Sequence, residues 1–249
     1  MSNPTPFQQV GEFHEVFGHP KTTVPQVNIC QENKKLVDFR YALIDEEVKE
    51  FEEACAKYDF LEAVDALCDT LYVIYGACHV FGLAELDKLN DVDMEDCDVL
   101  KPVSLDKQKE WFEENATMVD SFVTMLKTFL QALKTACDDQ NFENINQALI
   151  TMTGGLYFIG ASLGVNVVGA FSEVHRSNMT KVCLNEENAQ QTVEWYLQNE
   201  KRYEKPSYRK SVLEKYWVVY DAKTSKILKS IYFELPNLKP FLPSHMASL

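Results

Sequence analysis

The chain has 249 residues, 46% of them hydrophobic and 25% charged, with a formal net charge of −14 at pH 7. That length accommodates one large or two small domains around a substantial core. The acidic balance argues against a nucleic-acid backbone or an anionic membrane surface as the main partner.

The first residues, MSNPTPFQQVGEF, lack the basic and apolar regions of a signal peptide, so a cytoplasmic location is expected. Residues 7–17 pattern as a short helix stopped by Gly18 and Pro20, followed by the extended stretch HPKTTVPQVN. A long helix is predicted from near Gln31 to Lys57, with Val37, Tyr41, Ile44, Val48, Phe51 and Cys55 as its apolar stripe. A second is predicted from Phe60 to Phe81, carrying Leu61, Val64, Leu67, Cys68, Leu71 and Tyr75. Residues 87–104 are acidic and irregular and read as a linker. Asp91, Asp93, Glu95 and Asp96 fail as a calcium loop, because Asp96 stands where glycine is needed and Pro102 where the closing glutamate belongs.

Helical periodicity resumes over 105–137, 142–163, 167–178 and 186–203. The uncharged run Gly154–Phe171 is nearly long enough to span a bilayer, but its glycines and Asn166 predict a buried helix, a turn and the start of another helix. YWVVYDAKTSKILKSIYF has β-branched and aromatic runs around a polar turn and reads as a hairpin, before a frayed LPSHMASL end. The seven cysteines form no CxxC pair and are odd in number, which points to reduced core thiols.

A degenerate repeat links the two helical stretches. Shifted by 82 positions, Ala54-Cys55 meets Ala136-Cys137, Phe60 meets Phe142, Ala66-Leu67 meets Ala148-Leu149, Tyr75 meets Tyr157 and Gly82 meets Gly164. The stripe Ile44, Val48, Phe51 becomes Leu126, Leu130, Leu133. The acids do not survive: Glu46, Glu47 and Glu50 meet Thr128, Phe129 and Ala132, while Glu62, Asp65 and Asp69 meet Asn144, Gln147 and Thr151. One working site and one structural copy would leave this record.

At 100° per residue, Glu47 and Glu50 border the core stripe of the first helix, with Glu46 further toward solvent. On the second helix Glu62, Asp65 and Asp69 share a narrow sector beside the apolar face. A very short link makes the two helices antiparallel neighbours, so the two rows can face each other across a groove. Carboxylates beside an apolar face repel one another and lose solvation, which makes sense mainly with a divalent cation between them. Such a cation suits polyphosphate. Either cluster alone would read as a solvated acidic face; it is their pairing, and their loss from the copy, that reverses that reading.

LIDEEVKEF followed by DFLEAVDALCDTLYVIYGA resembles the all-α nucleoside triphosphate pyrophosphohydrolases, which include MazG-like enzymes, phosphoribosyl-ATP pyrophosphohydrolases and the dimeric dUTPases. Glu47-x-x-Glu50 and Asp65-x-x-x-Asp69 resemble the acidic pairs of that superfamily, and SEVHRSNMTKV (172–182) resembles the segment after its helical core. The likeness covers residues 7–82 and 170–208, leaving 85–169 as extra relative to short members. It departs where many relatives carry a glutamate and this chain has Ala66, which leaves the division of roles between Glu62 and Asp65 open.

The resemblance implies an all-α, MazG-like bundle built by internal degenerate duplication, with a small C-terminal β-hairpin. Expected divisions are a catalytic half over 1–86, the linker over 87–104, a degenerate half over 105–183 and a C-terminal helix and hairpin over 184–249. It implies hydrolysis of a nucleoside triphosphate to monophosphate and pyrophosphate, with Mg²⁺ (or Mn²⁺) on Glu47, Glu50, Asp65, Asp69 and Glu62, and with Glu47 or Glu46 as the base. Arg176, Asn178 and Lys181 are the expected phosphate contacts, with Lys205 and Tyr208 of a Lys-Pro-x-Tyr-like tail closing over the site. His175 is expected to pack or cap a helix, and His14 and His19 to lie away from the base. Analogy with duplicated dUTPases suggests a uracil or cytosine deoxynucleotide. A pseudo-dimeric monomer and a homodimer both fit, with neither nucleic acid nor membrane as partner. The rival reading is a non-catalytic helical protein that keeps the fold to bind a nucleotide or a protein.

Overall fold

The computed structural model describes residues 3–84 and 105–243, so the expected linker, its acidic run and Cys97 lie outside the described residues, as does most of the expected frayed end. The described helices are α1 (Pro6–Phe17), α2 (Ile29–Glu32), α3 (Lys34–Ala56), α4 (Phe60–Phe81), α5 (Gln108–Glu114), α6 (Ala116–Asp138), α7 (Phe142–Ser162), α8 (Val167–Met179) and α9 (Glu186–Asn199). One antiparallel hairpin follows, β1 (Pro206–Lys210) with β2 (Trp217–Asp221). The fold is all-α with a small C-terminal hairpin.

Two of the expected long helices are divided. Asn33 separates α2 from α3, and its side chain accepts from the Leu36 amide, capping α3. Asn115 separates α5 from α6, with its amide donating to the Trp111 carbonyl. Asparagine competes for backbone hydrogen bonds in this way, and a helix ends where it succeeds.

The repeat seen in sequence is a repeat of structure. α3 and α6 start and end 82 residues apart, and α4 and α7 start at the same offset. Tyr58 and Gln140 both take the left-handed conformation at the interhelical turn, with φ of 60° and 54°. Asp59 and Asn141 then cap α4 and α7 identically, accepting from the amides of Glu62 and Asn144. The turn amides of Asp59 and Asn141 reach back to the carbonyls of Ala54 and Ala136. At the far end Gly82 and Gly164 supply the two positive-φ exits.

α3 and α4 pack antiparallel, as do α6 and α7, and the pairs join through α3 on α6 and α4 on α7. Ile44, Phe51, Phe60, Leu67 and Tyr75 share one core with Leu126, Leu133, Ile145 and Leu156. At the junction of the copies the hydroxyls of Tyr75 and Tyr157, equivalent residues, lie 3.1 Å apart and hydrogen bond. α1 and α8 both lie on α4 and on each other, and α8 leaves α7 at a bend of 110°, so Gly154–Phe171 is the helix, turn and helix expected. α4 is long and apolar enough to cross a membrane by composition, but 83% of that stretch is buried inside the fold. The six cysteines among the described residues are buried thiols outside any disulfide.

The hairpin differs from expectation. The run 217–221 pairs backward with Pro206–Lys210, and the expected second strand contributes only a single bridge, Tyr220 to Ile227. Lys205-Pro206-Ser207-Tyr208 therefore enters a strand rather than a closing tail. Val218 packs with Val16, Phe17 and Val182, which fixes the hairpin to the end of α1.

Because Asp59 and Asn141 do the same work, Asp59→Asn should leave stability within about 0.5 kcal/mol, whereas Asp59→Ala should lose about 1 kcal/mol. Urea denaturation of both variants checks this; an equal loss in both would mean that the charge, not the cap, is what matters at this turn.

Candidate functional site

The facing edges of α3 and α4 open into a cleft of about 320 Å³. Glu46, Glu47 and Glu50 reach it from α3 and Asp69 from α4. Asn178, in the last turn of α8, and Lys181, just beyond it, face them. Asn178 hydrogen bonds to Asp69, and Lys181 stands within electrostatic reach of both Asp69 and Glu47. Three residues apart at the end of one helix, Asn178 and Lys181 share a side.

Arg176 does not join them. Two positions from Asn178 it points to the opposite face, where it pairs with Glu173 at 2.9 Å and Glu234 at 2.6 Å and pins the C-terminal segment to α8. Lys205 and Tyr208 also stand outside the cleft's lining. The Lys205 amide donates to Asp221, and the Tyr208 hydroxyl accepts from Gln190 and donates to Glu186. His175 stacks on Tyr72 and shares a hydrogen bond with its hydroxyl, in the packing role expected.

Other residues line the cleft that the motifs did not single out. His14 and His19, expected to lie away from the base, line its wall, as do Arg40 and Tyr72. Lys226 and Lys229 arrive from the segment after β2. A turn held by Asp221, which accepts from the Lys205 amide and from the amide and hydroxyl of Thr224, aims that segment back over α3. Lys226 approaches Glu46 at 3.8 Å. Arg40 carried a signal: it falls within the α3 stripe, between Val37 and Ile44, where a charge is out of place. Lys226 and Lys229 carried none, since only the tertiary path of their segment brings them here.

The carboxylates pay for their position. Burial, then Asp69, Glu50 and Glu46, push Glu47 from its ordinary 4.5 up to about 9. Burial, then Asp69 and Glu62, push Asp65 to about 7. Asp69 and Glu50 are raised too, chiefly by burial; Lys181, Lys229 and the Asn178 hydrogen bond pull Asp69 back. Lys181 is lowered by burial against the opposing pull of Asp69 and Glu47. Asp65 lies between the helices with its Oδ1 buried and unpartnered. Glu62 opens on a neighbouring recess with Glu50, Glu53 and Asp59. Among the described residues no three of these side chains converge on a single point in a ready-made metal geometry. Acceptor-only carboxylates with an orphaned buried oxygen nonetheless fit a hard cation.

The copy lacks all of this. A groove of about 390 Å³ occupies the equivalent place on α6 and α7, lined by Phe129, Ala132, Asn144, Gln147 and Thr151. Those five stand where Glu47, Glu50, Glu62, Asp65 and Asp69 stand in the first half. The groove persists without the carboxylates.

The family model for phosphoribosyl-ATP pyrophosphohydrolase matches residues 10–94. The matched domain belongs to the MazG-like all-α nucleoside triphosphate pyrophosphohydrolase superfamily. The matched residues hold α1 to α4, the half that keeps its acids. The chain is also similar, at 36% identity over 246 residues and 96% of each sequence, to the uncharacterized protein L479 of Acanthamoeba polyphaga mimivirus. No solved structure matches it.

Raised carboxyl pKa values carry a sign for stability. Glu47 favours the folded state while protonated, so its contribution is fully present below pH 4.5 and is lost as pH rises toward 9. In the presence of a chelator the melting temperature should therefore fall across that window, and Glu47→Gln should flatten the slope. An unchanged slope in the variant would show that Glu47 is not the strained group.

Proposed function

We propose that the cleft hydrolyses a nucleoside triphosphate to the monophosphate and pyrophosphate, dependent on Mg²⁺, with Mn²⁺ as a substitute. One observation carries the reading: a single cleft sets Glu47, Glu50 and Asp69 directly against Asn178, Lys181 and Lys229. Acids alone would repel a polyphosphate and lysines alone would bind any anion. The two together suit a phosphate chain that brings a cation with it.

Glu47, Glu50, Asp65 and Asp69 would hold the cation, with Glu62 at the outer edge; the chemistry it would supply is charge neutralisation of the phosphates and a more acidic attacking water. The protein's own groups do the rest. Lys181 and Lys229 donate to phosphate oxygens and offset the charge that develops on the leaving pyrophosphate. Asn178 fixes the Asp69 carboxylate through their hydrogen bond. Glu47 is the better placed base, since Glu46 is exposed and engaged with Lys226. Once neighbouring charge is compensated, the Glu47 carboxylate is free to take a proton from the attacking water. Lys226 and Lys229, carried on the segment beyond β2, cover the mouth of the cleft, the role first expected of Lys205 and Tyr208.

Glu50→Gln should lower Mg²⁺-dependent pyrophosphate release at least about a hundredfold. The variant should melt at or above the wild-type temperature in chelator, because a repelling charge has gone. Full activity in Glu50→Gln would sink the site. Binding of a non-hydrolysable nucleotide by the wild type without any turnover would instead favour a non-catalytic nucleotide-binding protein.

A further inference from the structure

Arg40 is the most conspicuous group that the proposed chemistry leaves unused. It sits inside the apolar stripe of α3, 5% exposed, and it lines the cleft. Its Nε is buried without a partner, and no carboxylate pairs with it among the described residues. A buried guanidinium in that state costs the fold stability, unless a ligand supplies the missing acceptor.

Its place along the cleft says which part of a nucleotide that is. Arg40 precedes Glu47 by two helical turns, about 10 Å. Gly76, opposite it on α4, lies two turns beyond Asp69. The lysines cluster at the carboxylate level and take the phosphates. A ribose would fill the interval and leave the base at the Arg40 end. The walls there suit a flat ring: Phe13 is stacked with His19, and Phe39 is 42% exposed beside the guanidinium.

His14 completes the edge. Its Nδ1 lies 2.7 Å from the Pro20 carbonyl, which can only accept, so Nδ1 carries the proton. Burial and the nearby Arg40 keep the ring neutral, with a pKa of about 2. Nε2 is therefore a lone-pair acceptor. A Cβ on Gly76 would lie 2.9 Å from Arg40 Nη1 and 3.2 Å from His14 Nε2, so a donor and an acceptor converge side by side on the glycine, which lets both approach.

We propose that Arg40 and His14 read the base, selecting nucleotides whose base presents a carbonyl oxygen beside a ring N–H, as in uracil, thymine, guanine and hypoxanthine. Arg40 donates to the oxygen and His14 Nε2 accepts from the N–H. Adenine and cytosine present an amino group beside a bare ring nitrogen, which sets donor against donor and acceptor against acceptor. This specificity rests on the nucleotide reading given above, but it does not require turnover.

The test pairs bases that differ only at this edge. Calorimetric binding of the α,β-imido analogues of ITP and ATP, and of UTP and CTP, is measured with Mg²⁺ on the full chain, alongside pyrophosphate release from the natural triphosphates. ITP over ATP and UTP over CTP are each expected to bind at least about tenfold tighter, since mismatched buried polar groups discriminate strongly. Arg40→Gln, checked for folding by its melting curve, should reduce both ratios to within about threefold. Equal binding within each pair, or preference for ATP or CTP, overturns the proposal whether or not the variant folds. Equal weakening of all four analogues by Arg40→Gln would place Arg40 on the phosphates and overturn it too. Preference in binding without any pyrophosphate release upholds the base reading and removes the reaction.

Discussion

Carboxylates crowded into the seam between α3 and α4 are the constraint on which the rest of the site depends. Glu47, Asp65 and Asp69 are partly buried, within reach of one another's fields, and each is driven toward its protonated form. Helix packing has to hold them there against that repulsion. The shared core of Ile44, Phe51, Phe60, Leu67 and Tyr75 lies directly beneath and keeps the two helices from spreading. A fold that stores unfavourable charge in this way has carboxyls whose pH behaviour follows from the same burial.

The second pair of helices gives that core its other half. Ile145, Leu126 and Leu133 complete what α3 and α4 would leave exposed, and the Tyr75–Tyr157 hydrogen bond marks where the equivalent surfaces meet. Once α6 and α7 serve only as a packing partner, nothing maintains acids on their outer groove, where Phe129, Ala132 and Thr151 now stand. A groove without those charges carries no such repulsion, so the frame of the copy stands without them.

Much of this was legible because it is local. Helical period, turn residues and the 82-residue offset depend on neighbours in sequence, and the bounds of α3, α4, α6 and α7 follow them closely. The acids of α3 and α4 were legible for the same reason. In HRSNMTK, Asn178 and Lys181 reach the cleft while Arg176, on the other face, clamps Glu234; the motif pointed to a segment that borders the cleft but treated its residues alike. Strand pairing was harder. Pro206–Lys210 is short and polar with no alternating apolar pattern, and only its partner Trp217–Asp221 looks like a strand. Pairing of that kind is decided by contacts distant in sequence.

The asymmetry between the copies comes from what is added to them. α1 and α8 both pack on α4, and the end of α8 brings Asn178 and Lys181 to the acidic groove. The hairpin is fastened to α1 through Val218, Val16 and Phe17, so the segment beyond β2 passes over that groove as well and carries Lys226 and Lys229 with it. Arg40, on α3, and His14, on α1, stand at the far end of the same cleft. Two similar helical hairpins thus become different because the additions bring lysines to the acids of the first groove and bring His14 and Phe13 to the level of Arg40. A phosphate chain and a base match those two levels, arranged along one molecule.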